Sequence, residues 1–140
     1  MDRTHLKKLE RIVGRENLFT SPEELHCYSY DATGREFLPE AVVLPGSTQE
    51  IAAILTLANT HRFPVVPRGA GSGMTGGSLP VQGGVVLGTG RLNRILEIDS
   101  ANMIAVVEPG VITGDLQGAL KPHKLMYPPD PASLKFCTIG

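Results

Sequence analysis

One stretch of the sequence, VVPRGAGSGMTGGSLP at residues 65–80, limits most strongly what this chain can fold into. Nine of the 16 glycines in the 140-residue chain lie between Gly69 and Gly90. A segment with so few side chains adds little to a hydrophobic core, but its glycines allow left-handed backbone conformations and a close approach to a ligand. The stretch therefore predicts a loop in which the backbone itself binds a ligand.

Three kinds of phosphate-binding loop compete for this stretch. Gly71 and Gly76 have the separation of a Walker A loop, but Gly77 stands where that loop needs lysine. The same segment matches the Rossmann pattern GxGxxG, with Glu97 at a suitable distance, but that pattern must open a helix, and Pro80 opposes one. The third interpretation is an anion nest, in which successive backbone N–H groups point into one concavity. A flexible surface loop or hairpin connection is the alternative.

Apolar spacing around this loop predicts short helices and strands. In chain order we expect a helix over residues 3–13, a helix beginning at 22, a strand over 41–45, a helix from 48, strands over 63–67, 83–89, 94–99 and 103–110, and a helix over 111–124. The strand–helix–strand unit at 41–67 predicts a right-handed crossover and parallel pairing of its two strands. Short links between the later strands favour antiparallel hairpins. The fold class is therefore α+β, a βαβ unit followed by a small mixed sheet.

The helix after the first buried strand has the clearest start signal. Ser47 or Thr48 is expected to cap it, with Glu50 near the third position of a capping box. Its apolar stripe is predicted to consist of Ile51, Ile54, Leu55 and Ala58.

Net charge and residue composition exclude several classes of function for this chain. The formal net charge of -1 gives no electrostatic signature of a nucleic-acid partner. No apolar run approaches the roughly 18 residues that span a bilayer. Cys27 and Cys137 have no partner at metal-ligand spacing and are expected to be reduced thiols in the cytoplasm. The four histidines are scattered along the chain, so no catalytic residue and no metal ligand is predicted here.

Several motifs in order carry a resemblance to a known family. PRGAGSGMTGGS is followed by VVLGTGRLNRILEID, VEPGVITGDLQ and YPPDPASLKFCTIG. Together they resemble the flavin-binding domain of the p-cresol methylhydroxylase and vanillyl-alcohol oxidase type. Within that type they are most similar to the FAD-linked oxidases that include glycolate oxidase FAD-binding subunits and D-lactate dehydrogenases. The resemblance is clearest over residues 37–140 and implies the N-terminal lobe of such a domain, truncated in its second lobe.

The resemblance also implies FAD as the cofactor and indicates which residues would bind it. Main-chain amides of the glycine loop would hold the pyrophosphate, and the PPDPAS and CTIG segments would lie along the flavin. The implied cofactor-binding residues are Pro67, Arg68, Gly69, Ala70, Gly71, Ser72, Gly73, Gly76, Gly77 and Ser78 in the loop, Pro129, Asp130, Pro131 and Ser133 in PPDPAS, and Thr138, Ile139 and Gly140 at the end of the chain.

For the whole protein, the resemblance implies a flavin-dependent oxidoreductase that converts a 2-hydroxy acid, glycolate or D-lactate, to the 2-oxo acid. Its expected partner is an iron–sulfur or other electron-acceptor subunit, through which the protein would sit at the inner membrane face, and this chain alone is expected to dimerise. Residues 1–36 are expected to form a helical extension and residues 37–140 part of the FAD-binding domain. The second lobe and the substrate domain are expected beyond this chain, which alone would be inactive. The alternative is a non-catalytic module for nucleotide or anion binding, or for assembly.

Overall fold

The structure is a computed structural model that describes residues 1–140 and alternates short helices with short strands. Its elements are α1 (Arg3–Val13), a 3-10 turn (Arg15–Asn17), β1 (Leu18–Phe19), α2 (Pro22–Cys27), β2 (Ala41–Val43), α3 (Thr48–His61), β3 (Val65–Arg68), β4 (Val85–Gly88), β5 (Ile95–Asp99), β6 (Ile104–Val107), α4 (Thr113–Leu120) and a second 3-10 turn (Lys121–His123). The mixed helix-and-sheet class expected from the sequence is confirmed.

Four strands form a mixed sheet in the order β1-β2-β4-β3. β4 is parallel to β2 on one side and to β3 on the other, whereas β1 is antiparallel to β2. β2 and β3 are therefore parallel, as the βαβ unit predicts, but β4 lies between them and they do not pair with each other. Val85 and Val86 of β4 are fully buried, and a strand that is apolar on both faces gains most from the central position that β4 takes.

The last two strands form a separate sheet in which β5 pairs with β6 antiparallel. The predicted hairpin between β5 and β6 is confirmed, and the one between β4 and β5 is wrong because β4 belongs to the first sheet. The β5–β6 link is held by Asp99, whose carboxylate accepts the N–H groups of Ala101 and Asn102 at 3.0 Å each. Such side-chain-to-backbone bonds are typical of Asx turns.

The main hydrophobic core lies where α1 and α3 pack against the first sheet. Its buried side chains are Leu9, Val13, Leu18, Ala41, Val43, Ile54, Val85 and Leu87. A smaller core of Val111, Leu116 and Leu120 lies against the β5–β6 sheet. Because α1 supplies Leu9 and Val13 to the main core, the first residues pack with the sheet; the domain boundary at residue 36 stays a prediction.

α3 begins where the sequence predicts, but it differs in two details. Ser47 is the cap, and its hydroxyl accepts the Glu50 N–H at 3.2 Å. The Glu50 carboxylate bonds to the Gly46 N–H at 2.8 Å instead of returning to Ser47, so the predicted capping box does not close. Leu55 is 49% exposed, and Leu57 packs against the core in its place. Each residue turns a helix by about 100°, which carries Leu55 to the flank of the face centred on Ile54.

The remaining helices begin or end at residues with known capping or helix-breaking character. α1 ends at Gly14, whose φ is 86°. Ser21 caps α2 in a reciprocal capping box with Glu24. α4 gives way to a 3-10 turn that contains Pro122. None of the helices combines the length and apolar character needed to cross a lipid bilayer.

Candidate functional site

The glycine loop follows β3 at the edge where the three parallel strands have their carboxyl ends. Ligands of sheets with parallel strands commonly bind outside this edge. Residues 69–84 contain turns and bends but no helix, so the loop does not open a Rossmann helix. Gly71 and Gly76 have φ values of 67° and 76°, a region in which only glycine is unstrained.

The loop surrounds a polar pocket of about 310 Å³. Its walls are Asp31, Pro67, Gly69, Ala70, Gly71, Ser72, Gly73, Thr75, Gly77, Ser78, Thr138 and Gly140. Seven successive backbone N–H groups, from Gly69 to Thr75, donate no hydrogen bond within the protein. Free N–H groups on a loop with left-handed residues are the donors of an anion nest.

A buried cation, Arg68, lies beneath this loop. The residue is only 6% exposed, and a β-carbon at Gly71 would collide with its guanidinium group. The guanidinium carbon lies 5.9 Å from the centroid of the Tyr28 ring, within the range of a cation–π interaction. Burial lowers the pKa of Arg68 and the nearby Asp31 carboxylate opposes that change, yet an arginine stays protonated in proteins. Arg68 forms no ion pair within 4.0 Å, so its charge is available to the pocket.

Asp31 is a pocket residue that sequence reasoning missed. It is 5% exposed, and its Oδ1 accepts the backbone N–H of Thr33 at 2.9 Å and the Thr33 hydroxyl at 2.6 Å. These bonds, helped by Arg68, lower the pKa of Asp31, so the carboxylate is ionised at neutral pH. The Gly76 N–H lies near the carboxylate but does not bond to Oδ2. Only the tertiary fold brings Asp31 to a loop so distant in sequence, and no local pattern marks it.

Three buried side-chain polar atoms in the structure have no hydrogen-bond partner: two belong to residues that line the pocket, and the third belongs to Arg68 beneath the loop. They are Asp31 Oδ2, Arg68 Nη1 and Ser78 Oγ. An unpaired buried polar group costs about 1–3 kcal/mol, and more when it is charged. Such atoms gathered at one pocket indicate a polar ligand, and the free N–H groups beside them indicate that the ligand is anionic.

The end of the chain closes one side of the pocket. Thr138 and Gly140 lie against Gly69, and the Thr138 hydroxyl donates to the Gly140 carbonyl at 2.8 Å. Thr138 also pairs with Ile112 in an isolated β-bridge. Ile139, which the sequence also assigns to the site, packs into the smaller core instead of the pocket.

The PPDPAS segment lies away from the pocket. Pro129, Asp130 and Pro131 are exposed and Ser133 is half-buried, and none of the four is a pocket residue. The Gln117 side chain of α4 holds the start of the segment by donating to the Tyr127 and Pro129 carbonyls at 3.0 Å each. The role of these four residues in cofactor binding stays a prediction.

Two arginines outside the pocket make structural contacts. Arg94 pairs with Glu108 at 2.6 Å, and Arg91 donates to the Leu44 carbonyl at 2.8 Å. Cys27 and Cys137 are free thiols. No three His, Cys, Asp or Glu side chains come together as a metal site.

A backbone-lined pocket at the carboxyl ends of parallel strands, above a buried cation, has the donors and the charge to bind an anionic ligand. The family described as FAD binding domain matches residues 39–140 of the sequence. The chain belongs to this family, and its cofactor is FAD.

Known relatives agree with this assignment. The glycolate oxidase subunit GlcD of Bacillus subtilis is 47% identical over 135 residues, which are 96% of this chain. The D-lactate dehydrogenase of Anaerostipes hadrus is 39% identical over 102 residues, or 73% of this chain. The chain spans 29% and 21% of the lengths of these two relatives.

Among solved structures, p-cresol methylhydroxylase with substrate bound is similar at a TM-score of 0.78 and 25% identity. The similarity covers 87% of this chain and 25% of that one. The resemblance drawn from the sequence motifs, including the p-cresol methylhydroxylase type of fold, is thereby confirmed.

Proposed function

We propose that the glycine-loop pocket holds the pyrophosphate of FAD, and that the whole protein is a flavin-dependent oxidoreductase acting on a 2-hydroxy acid. The pyrophosphate site is supported by the run of unbonded N–H groups from Gly69 to Thr75, which lies above the unpaired Arg68 cation. A pyrophosphate leaving water needs many donors in place of its hydration shell, and hydrogen bonds to an ionised group are the strong ones.

Each part of the pocket has a distinct task in this proposal. The loop N–H groups bind phosphate oxygens at close range because glycine has no side chain in the way. Arg68 Nη1 supplies positive charge from below, and Ser78 Oγ supplies a hydroxyl donor. The FAD itself supplies the electron acceptor when it is bound, while the protein binds and orients it. The predicted contacts of PPDPAS with the flavin belong to this proposal as well.

The substrate class rests on the relatives. One is named a glycolate oxidase subunit and another a D-lactate dehydrogenase, and glycolate and D-lactate are both 2-hydroxy acids. We extend that class to the whole protein of which this FAD-binding portion would be a part. Because one relative is a subunit, we also propose an electron-accepting partner subunit, for which an iron–sulfur protein is chemically suited. The homodimer, and the cytoplasmic location with attachment to the inner membrane face through partners, stay predictions.

Replacement of Gly71 tests the cofactor site. We expect Gly71→Ala to weaken FAD binding by about 10-fold or more, because the new β-carbon meets the Arg68 guanidinium and disturbs the loop. Fluorescence quenching of FAD on titration with the chain measures the affinity. Gly83→Ala is the matched control: its φ of 70° imposes similar backbone strain, the added carbon would meet only the Glu40 side chain at an ordinary 3.9 Å, and Gly83 does not line the pocket.

Equal FAD affinity in the two alanine variants would contradict the proposed pyrophosphate site. The activity is tested separately in the whole protein, by the reduction of a dye acceptor with glycolate or D-lactate. FAD binding without dye reduction on any 2-hydroxy acid would overturn the substrate class and leave the cofactor site standing.

A further inference from the structure

Asp31 is a buried carboxylate in a pocket built for an anion. It lies before residue 39, where the match to the FAD binding domain family begins, on the connection between α2 and β2. It shares the pocket with the glycine loop, and its Oδ2 is buried without a hydrogen-bond partner. The negative charge of Asp31 repels the pyrophosphate proposed to bind here, so the presence of a carboxylate in this pocket requires a separate explanation.

The pyrophosphate itself cannot satisfy this oxygen. Phosphate oxygens that are ionised only accept hydrogen bonds, and a carboxylate also only accepts them. Arg68 is the nearby cation, but its guanidinium makes no ion pair with Asp31 within 4.0 Å. The site therefore has a free donor at Ser78 Oγ in the pocket wall, a free donor at Arg68 Nη1 beneath the loop, and a free acceptor at Asp31 Oδ2 in the pocket wall.

The carboxylate is also held in position before any ligand arrives. Both bonds from Thr33, at 2.9 and 2.6 Å, go to Oδ1 and leave Oδ2 as the free acceptor. Fixing one oxygen reduces the conformational entropy that a ligand would otherwise have to remove. A preorganised acceptor beside an anion nest suits a ligand that carries a hydroxyl group next to its phosphates.

We propose that Asp31 binds a hydroxyl group of the cofactor, so that the segment preceding the recognised domain is part of the FAD site. This inference rests on the proposed function. FAD has hydroxyl groups on both sides of its pyrophosphate, in the ribityl chain and in the adenosine ribose. A ligand with these groups carries both acceptors for the free donors of the site and a donor for Asp31 Oδ2.

The test compares three ligands in each variant: FAD, ADP and inorganic pyrophosphate. Asp31→Ala removes the acceptor, and Asp31→Asn removes the charge but keeps an oxygen for Thr33. We expect Asp31→Ala to weaken FAD binding by about 10-fold or more, since hydrogen bonds to charged groups are the strong ones. Pyrophosphate affinity should stay equal or rise, because a like charge is removed. Glu97→Ala and Glu97→Gln, at an exposed residue of β5, are the matched controls.

The ratio of FAD affinity to pyrophosphate affinity within one variant is the deciding quantity, because partial unfolding lowers both affinities together. A lower ratio in Asp31→Ala that comes from a fall in FAD affinity, with Asp31→Asn between it and the wild type, supports the proposal. Loss of ADP affinity as well assigns the hydroxyl to the ribose, and loss for FAD alone assigns it to the ribityl chain.

An unchanged ratio would overturn the proposal, and a parallel fall for FAD and pyrophosphate would mean that Asp31 acts only by positioning Arg68. Failure of the wild-type chain to bind FAD would overturn the proposed function, and this inference with it. Unchanged FAD affinity in Asp31→Ala alongside tight wild-type binding would overturn this inference only.

Discussion

Arg68 shows how a single residue can favour binding at the expense of stability. Its buried guanidinium has an unpaired Nη1 and no ion pair, and a cation removed from water without a partner costs free energy. Proteins keep such groups where a ligand provides the missing interactions. The Tyr28 ring, 5.9 Å from the guanidinium carbon, offsets part of this cost.

Replacement of Arg68 by methionine should therefore separate binding from stability. We expect Arg68→Met to weaken FAD binding by about 10-fold or more, because the cation below the loop is lost. The thermal unfolding midpoint should fall little or rise, because methionine fills the space without a desolvated charge. Fluorescence titration and thermal denaturation measure the two quantities. Arg11→Met, at an exposed position of α1, is the control for loss of one positive charge.

A fall in the unfolding midpoint with no change in FAD affinity would contradict this view of Arg68, since the residue would then serve the fold alone.

At the residue scale, the sequence predicts the glycine loop well and the rest of the site only in part. Gly71 and Gly76 are needed where φ is positive, and that need is local, so it leaves a mark in the sequence. Asp31 reaches the pocket only through the packing of the connection that precedes β2, and such a long-range contact leaves no local pattern. Ile139 lies between two residues that line the pocket, but its own side chain packs against the smaller core.

At the scale of elements, α1 and α3 meet in a cluster of histidine and lysine. The His5 and His61 rings lie 4.4 Å apart, and Lys8 Nζ lies 3.0 Å from His61 Nε2. Lysine can only donate, so Nε2 must accept, and this contact requires a neutral His61 ring. Burial, and after it the charges of Lys8 and His5, lower the pKa of His61 below its usual 6.5.

This lowered pKa makes the contact of α1 with α3 weaker in acid. His61 binds a proton near pH 6.5 in the unfolded chain and only at lower pH in the folded protein. The contribution of neutral His61 to the free energy of unfolding is therefore fully present above about pH 6.5, and it is lost as the pH falls through the pKa of His61 in the folded state. We expect the thermal unfolding midpoint of the wild type to fall more steeply between pH 7.5 and 5.5 than that of His61→Gln. His123→Gln, away from this cluster, is the control and should keep the wild-type slope.

If the unfolding midpoint falls equally with pH in the wild type and in His61→Gln, protonation of His61 does not weaken the contact between α1 and α3.

The sequence indicates which elements form better than it indicates which elements are neighbours. Caps and turn residues predict the starts of α2 and α3 because these signals act within a few residues. The central position of β4 depends on the burial of both of its apolar faces. That burial is a property of the whole sheet and not of the residues next to β4 in sequence. A short link after β4 therefore suggests a hairpin that the sheet order excludes.

At the scale of the whole molecule, the pocket joins three distant parts of the chain. Asp31 precedes the sheet, the glycine loop follows β3, and Thr138 and Gly140 end the chain. The site exists only when all three are folded together. A ligand that binds only this folded state adds stability, about 2.7 kcal/mol when its concentration is 100 times its dissociation constant.

The central claim is that the glycine loop of this chain binds the pyrophosphate of FAD, and phosphorus NMR tests it most directly. Addition of the wild-type chain to FAD should shift or broaden both pyrophosphate resonances until one equivalent is reached, and Gly71→Ala should greatly weaken the effect. Pyrophosphate resonances that stay at their free positions, while flavin absorbance reports a bound cofactor, would contradict the account.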